Sequence, residues 1–217
     1  MIMQGQVGNP GTTNLPDSEI SAPVLGRQRE LLTSSYHGER YNANYRDKLF
    51  HAVSVVGGNS FPIYSATALV FALWNASADV NLELVRFTAA YVSGTGVAGP
   101  FGYQWKNVGT TVGVPLSAFT HVASGIISGK PGGGAVSKAQ FANSAATIVA
   151  APTANFIPSK MGQMVITAAD TTQGVYQLEE EFKGDIILEP GILFFPAALL
   201  ASVSLFAMKL TYIEVPR

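Results

Sequence analysis

The chain has 217 residues, of which 12% are charged, 47% are apolar and none is cysteine. Charged residues are thus about half as frequent as in an ordinary soluble domain, while the apolar content is ample for a packed core of one to two domains, so wholesale disorder is excluded. A formal net charge of −1 removes the basic footprint that nucleic-acid binding requires, and the lack of cysteine removes disulfides, zinc–thiolate sites and thiol catalysis.

Residues 1–10 carry neither the basic stretch nor the apolar stretch of a signal peptide, so the expectation is a protein folded in a cytosol. The segment GQVGNPGTTNLPDSEISAP has no apolar period and is rich in Gly, Pro, Asn and Thr, which predicts an extended N-terminal arm over residues 1–47. Within it, Leu25 to Leu32 has the pattern of one or two amphipathic helical turns. Residues 1–48 hold ten charges, whereas residues 49–217 hold only 17, and no acidic residue stands between Phe87 and Ala169. The remainder, 48–217, reads as one compact β-domain with loops of Ser, Thr, Gly and Asn.

From Leu49 the texture changes to short β-like runs punctuated by Gly and Pro: LFHAVSVV (49–56), ATALVFALWN (66–75), VNLELVRFTAAYV (80–92) and FGYQWKN (101–107). Phe101, Tyr103 and Trp105 alternate with Gly102, Gln104 and Lys106, the period of a half-solvated strand. Ser137 to Ala150 is the one helix candidate beyond residue 50, weakened by Thr147, Ile148 and Val149. VYQLEEEF (175–182), DIIL (185–188), ILFF (192–195) and SVSLFAMKLTYIEV (202–215) complete the set. Glu189-Pro190-Gly191 has type II turn chemistry, Pro presetting φ and Gly accepting a positive φ. Ile192 to Met208 is 17 residues long and broken by Pro196, Ser202 and Ser204. That is short of the roughly 20 residues of a spanning helix and predicts two buried strands, with no membrane partner. About eight antiparallel strands with no repeat period argue for an all-β sandwich of jelly-roll or related topology.

Ala66 to Trp74 and Val203 to Leu210 are apolar on both faces, more than a single two-sheet core requires. A second sheet would cover one face and a neighbouring copy of the chain the other. Phe71, Trp74, Phe206 and Leu210 are the residues expected at such a self-association interface. In the arm, Ile20, Val24 and Leu25 are apolar anchors amid Pro and Gly, while Arg27, Arg29, Arg40 and Arg46 offer guanidinium forks suited to carboxylates on a partner. An arm that orders on binding can wrap a large surface; it can equally strap its own oligomer.

Motifs for chemistry are sparse. Gly94-Thr-Gly96-Val-Ala-Gly99 has GxGxxG spacing, but Pro100-Phe101-Gly102 and an alternating strand follow instead of the helix that a dinucleotide site needs, so a glycine-rich hairpin loop is expected. Pro131 to Gly134 lacks the Gly-Lys-Ser/Thr ending of a phosphate loop. His37, His51 and His121 form no short-range metal pair. Ser124 is not in a GxSxG context, and the carboxylate-free stretch around it offers no nearby group to orient a base. Glu179 and Glu181 would share one strand face and Glu180 the other, which suits an acidic edge better than a glycosidase pair. Asn75-Ala76-Ser77 matches a glycosylation sequon, taken as incidental without a secretion signal. Tyr36, Tyr41, Tyr45, Tyr91, Tyr103 and Trp105 could stack on sugars, fill an interface or pack in the core. No catalytic residue, cofactor or metal is expected, and the chain reads as non-enzymatic.

Two segments resemble a group of small structural proteins of tailed bacteriophages: GRQRELLTSSYHGERYNANYRDKLFHA (26–52) and GDIILEPGILFF with SVSLFAMKLTYIEVP (184–216). The shared features are Ser34-Ser35-Tyr36-His37-Gly38, Leu188-Glu189-Pro190-Gly191 and the closing Tyr212-Ile213-Glu214-Val215-Pro216; residues 95–165 have no counterpart in the resemblance. The resemblance implies a TNF-like jelly roll assembled as a homotrimer, a virion component formed in a bacterial cytoplasm. It further implies a capsid decoration or cement protein that binds the major capsid protein or another virion protein and stabilises the head. A tail-fibre or spike head binding a host-surface glycan is the alternative, and a hydrolase with a long-range site is a third. A fibre needs a stalk, and the arm has no heptads to supply one.

Overall fold

The computed structural model describes residues 40–64, 66–94, 99–113, 115–143, 146–150, 156–164, 177–200 and 203–217. Ile20, Val24, Leu25, Arg27, Arg29, Tyr36 and His37, with the extended form expected of the arm, lie outside the described residues. The chain divides into two compact units, Met1–Tyr41 and Asn42–Arg217. The division thus falls between 41 and 42, where composition suggests 47 and 48. Residues 42–47 belong to the β-unit because they pack on its loop 129–133: the Lys130 ammonium lies 3.7 Å from Asp47 and 5.6 Å from the centre of the Tyr45 ring.

A five-residue helix, α1 (Tyr41–Tyr45), leads into strands that form three antiparallel sheets. The first contains β1 (Leu49–Val53), β4 (Val80–Ser93), β7 (Ile126–Ser128), β11 (Gln177–Glu181), β12 (Ile187–Leu188) and β14 (Leu205–Pro216), in the order β11-β4-β14-β1-β7 with β12 also on β4. The second has the order β10-β5-β13-β3-β8, from β3 (Ala72–Trp74), β5 (Gly99–Asn107), β8 (Gln140–Ala142), β10 (Phe156–Met164) and β13 (Ile192–Ala198). The third is small: β2 (Ala68–Leu69), β9 (Ala146–Ile148) and β6 (Leu116–Phe119), with β9 in the middle. The all-β sandwich expected from the sequence is the observed fold class.

Two cores separate three layers. Between the first and second sheets lie Phe50, Leu84, Phe87, Phe206, Met208 and Leu210 on one side and Leu73, Tyr103, Phe141 and Phe194 on the other. The opposite face of the second sheet, with Trp74, Leu193 and Phe195, packs on Leu69, Leu116 and Ile148 of the third. β13 is therefore apolar on both faces because it belongs to the middle layer: Phe194 points one way, Leu193 and Phe195 the other. Pro196 is accommodated in β13 because β3 pairs only with Leu193 and Phe194, so no neighbour on that side needs its missing N–H.

This layering corrects the expected self-association residues. Phe71, Trp74, Phe206 and Leu210 are each 0–1% exposed within the single chain and have no surface left for a partner. Around Ala66 to Trp74 the apolar surplus is covered by the chain's own third sheet. In β14 the surplus is smaller than it reads, since Phe206, Met208 and Leu210 point inward while Leu205, Ala207 and Lys209 point outward and are only half-buried.

Two further expectations change. Ser137 to Ala150 is not a helix but contains β8 and β9, because β8 pairs with β3 and β9 is held between β2 and β6. β4, ending next to Gly94, and β5, starting at Gly99, belong to different sheets and so are not the two arms of a hairpin; residues 95–98 lie outside the described residues. Ile192 to Met208 divides between β13 and β14, and among the described residues no helix is long and apolar enough to cross a membrane.

Candidate functional site

One cluster of ionisable side chains lies on and under the edge strand β11. Alternation along Gln177–Glu181 sends Glu180 inward and leaves Glu179 and Glu181 exposed on the other face, as the strand period requires. Arg86, paired with Glu181 on the neighbouring β4, spreads its guanidinium between them: Nη1 lies 2.9 Å from Glu179 and Nη2 3.1 Å from Glu181. With side chains about two-fifths exposed, each pair contributes under about 1 kcal/mol.

Glu180 is buried between the two large sheets. Its Oε2 accepts hydrogen bonds from the Tyr103 hydroxyl at 3.0 Å and from the Ser159 hydroxyl at 2.5 Å. Those donors sit on β5 and β10, so one carboxylate of the first sheet ties two strands of the second. Burial, then the Glu180 charge, push the Tyr103 phenol well above its ordinary pKa, which keeps it a neutral donor.

A second buried carboxylate repeats this pattern. Oε1 of Glu214, on β14, accepts from the Ser137 hydroxyl at 2.6 Å and from the Lys138 backbone N–H at 2.7 Å. The Ser137 and Tyr212 hydroxyls are 2.7 Å apart. Burial raises the Tyr212 phenol, the bond with Ser137 opposes that rise, and the Glu214 charge adds to it. The cluster fastens the loop after Gly134 onto the closing strand.

The two described histidines have different partners. On the outer face of the first sheet, His51 Nδ1 lies 3.0 Å from the Thr211 hydroxyl, and burial followed by the Lys209 charge lowers its pKa. His121 Nδ1 accepts from the Phe141 backbone N–H at 3.1 Å. Ser124 is exposed in a 3-10 turn, Ala123–Gly125. Among the described residues no group of three or more His, Asp or Glu side chains could hold a metal.

Asn75 is a hub that its motif does not suggest. The fully buried side-chain amide donates to Val80 O at 2.8 Å and Leu188 O at 2.9 Å, while its backbone bonds Gly191 N–H and Ile192 O. The match to a sequon is thus a structural asparagine, with its nitrogen inaccessible in the folded chain. Of the aromatics weighed for sugar stacking, Tyr103 is buried and Trp105 and Tyr91 pack against the main core, while Tyr41 and Tyr45 are exposed. Of the arginines weighed for partner binding, Arg40 is partly exposed and Arg46 exposed.

The turn at Glu189-Pro190-Gly191 has the expected form, with Ile192 N–H bonded to Glu189 O at 3.1 Å and Gly191 at φ 84°. It carries the chain from the first sheet to the second. Sequence alternation located Glu180; its hydroxyl partners come from strands distant in sequence, and only pairing brings them together. Chemically, both carboxylate clusters hold layers and loops in place. No protein-family model, curated protein or solved structure matches the chain.

Proposed function

We propose that the protein is a non-enzymatic structural component of a tailed-phage virion, a homotrimeric jelly-roll decoration or cement protein that binds between capsomers and stabilises the head. The observation that carries this reading is the use made of the buried carboxylates. Glu180 is taken up by two hydroxyl donors that join strands, and Glu214 by a hydroxyl and a backbone amide that join a loop to the closing strand. Such polar ties favour a rigid body, which suits a protein whose role is to add buried interface to a shell. The resemblance of the Pro190-Gly191 turn and the Tyr212 to Pro216 strand to phage structural proteins points the same way.

The test is stoichiometric. Purified protein is added to undecorated heads, and bound copies are counted after sedimentation. Saturation at hundreds of copies per particle with raised resistance to heat supports the reading; no binding to heads, with a few copies found at the tail, supports a glycan-binding tail component instead.

A further inference from the structure

Among the described residues the first sheet ends in β11 and β12 on one side and in β7 on the other. One row of backbone partners crosses it: Gly129 N–H bonds to Leu49 O, Leu49 faces Ile213, Ile213 faces Glu83, and Glu83 faces Ile187. Around the Ile187 end stand three carboxylates, Glu83, Asp185 and Glu189, with one cation, Lys183, while Arg86, Glu181 and Glu179 lie three to five residues further along the β4 ladder. Around the Gly129 end stand three cations, Arg46, Lys48 and Lys130, with one carboxylate, Asp47. At the height of this row the two edges therefore carry opposite excess charge. Each also exposes an isoleucine: Ile187, 57% exposed, on this row at the acidic edge, and Ile127, 52% exposed, at the basic edge two residues along, on the row of His51, Thr211, Arg86 and Glu181.

An apolar centre with a charged rim is the anatomy of a protein interface, and the signs dictate its symmetry. A two-fold contact would set like charge against like. A head-to-tail contact sets the acidic edge of one copy against the basic edge of the next, which gives a ring where the repeated rotation closes. The geometry points to a second copy of this chain as the occupant of each edge, with Ile187 of one copy beside Ile127 of the next. The inference rests on the self-assembly part of the proposed function and supplies the interface that Phe71, Trp74, Phe206 and Leu210 cannot.

Sedimentation velocity on the full chain tests it. One variant reverses the acidic edge (Glu83→Lys with Asp185→Lys), one reverses the basic edge (Lys48→Glu with Lys130→Glu), and a third combines all four changes. Each single-edge reversal should weaken association on the order of tenfold or more, and the combined variant should recover it, because head-to-tail edges become complementary again. Wild-type association should weaken as salt rises from about 0.05 M to about 0.5 M. A wild-type monomer at all salt concentrations, indifference to reversal of either edge, or no recovery in the combined variant overturns the inference. Should a reversal abolish the melting transition, Ile187→Ser and the salt series decide, with weaker association expected from both. Head binding is measured separately: a chain that decorates heads as a monomer sinks the edge contact alone, and a ring that leaves heads bare sinks the decoration reading alone.

Discussion

The Tyr103 hydroxyl reaches across the gap between the two large sheets and donates to Glu180 at 3.0 Å. Tyr103→Phe leaves that buried carboxylate one donor short while filling the same space. The expected loss is about 1–3 kcal/mol in urea unfolding, with the fold retained.

The raised phenols make stability sensitive to alkali. Tyr103 and Tyr212 stay protonated in the folded chain above their ordinary pKa of 10.0, whereas the unfolded chain releases those protons. The folded state then binds more protons, so stability is fully present below pH 10 and falls as pH rises beyond it. Each phenol contributes a slope of about 1.4 kcal/mol per pH unit there. Tyr103→Phe and Tyr212→Phe should each remove about half of the steepening, read from melting temperatures across that range.

His51 acts at the other end of the scale. Its pKa is lowered in the folded chain by burial and by Lys209, so the unfolded state takes up the proton first as pH falls below 6.5. Stability is present above that value and declines below it. His51→Gln should flatten the decline between pH 6.5 and 5, and an unchanged acid profile would show that other groups govern it.

Asn75→Ala strips a partner from the carbonyls of Val80 and Leu188, both inside the protein. The expected cost is about 2–5 kcal/mol, from two unsatisfied acceptors and a small void. Asparagine is required there for two donors on one planar group, which aspartate lacks.

Gly191→Ala introduces strain at φ 84° and places a methyl 3.0 Å from the Gly109 backbone. A loss of about 2 kcal/mol is expected. Pro190→Ala, which keeps the turn geometry, should cost less than half of that in the same melts.

The sequence carries much of this fold in its periods. The period of Phe101 to Lys106 and the β-rich runs 80–92 and 202–215 mark strands directly, and Pro190-Gly191 marks its turn by the φ each residue accepts. Short strands such as Gln140–Ala142 and Ala146–Ile148 carry no period of their own; they exist because β3, β2 and β6 offer them ladders. For the same reason the third sheet was not legible, and the outer apolar face of Trp74 looked like a surface awaiting a partner. In Glu179-Glu180-Glu181 the division of faces was readable, but Arg86, Tyr103 and Ser159 reach them from strands between 21 and 95 residues away.

The chain enters β1 and leaves β14 at the same end of the first sheet, where Leu49 faces Ile213. Tension applied between those two points would peel the β1–β14 ladder apart one rung after another, the weakest way to load antiparallel strands. Tension applied from β11 to β7, across the strands, is shared by every rung of each ladder at once. The body is thus mechanically anisotropic: soft when pulled through its own backbone, stiff when stretched from edge to edge.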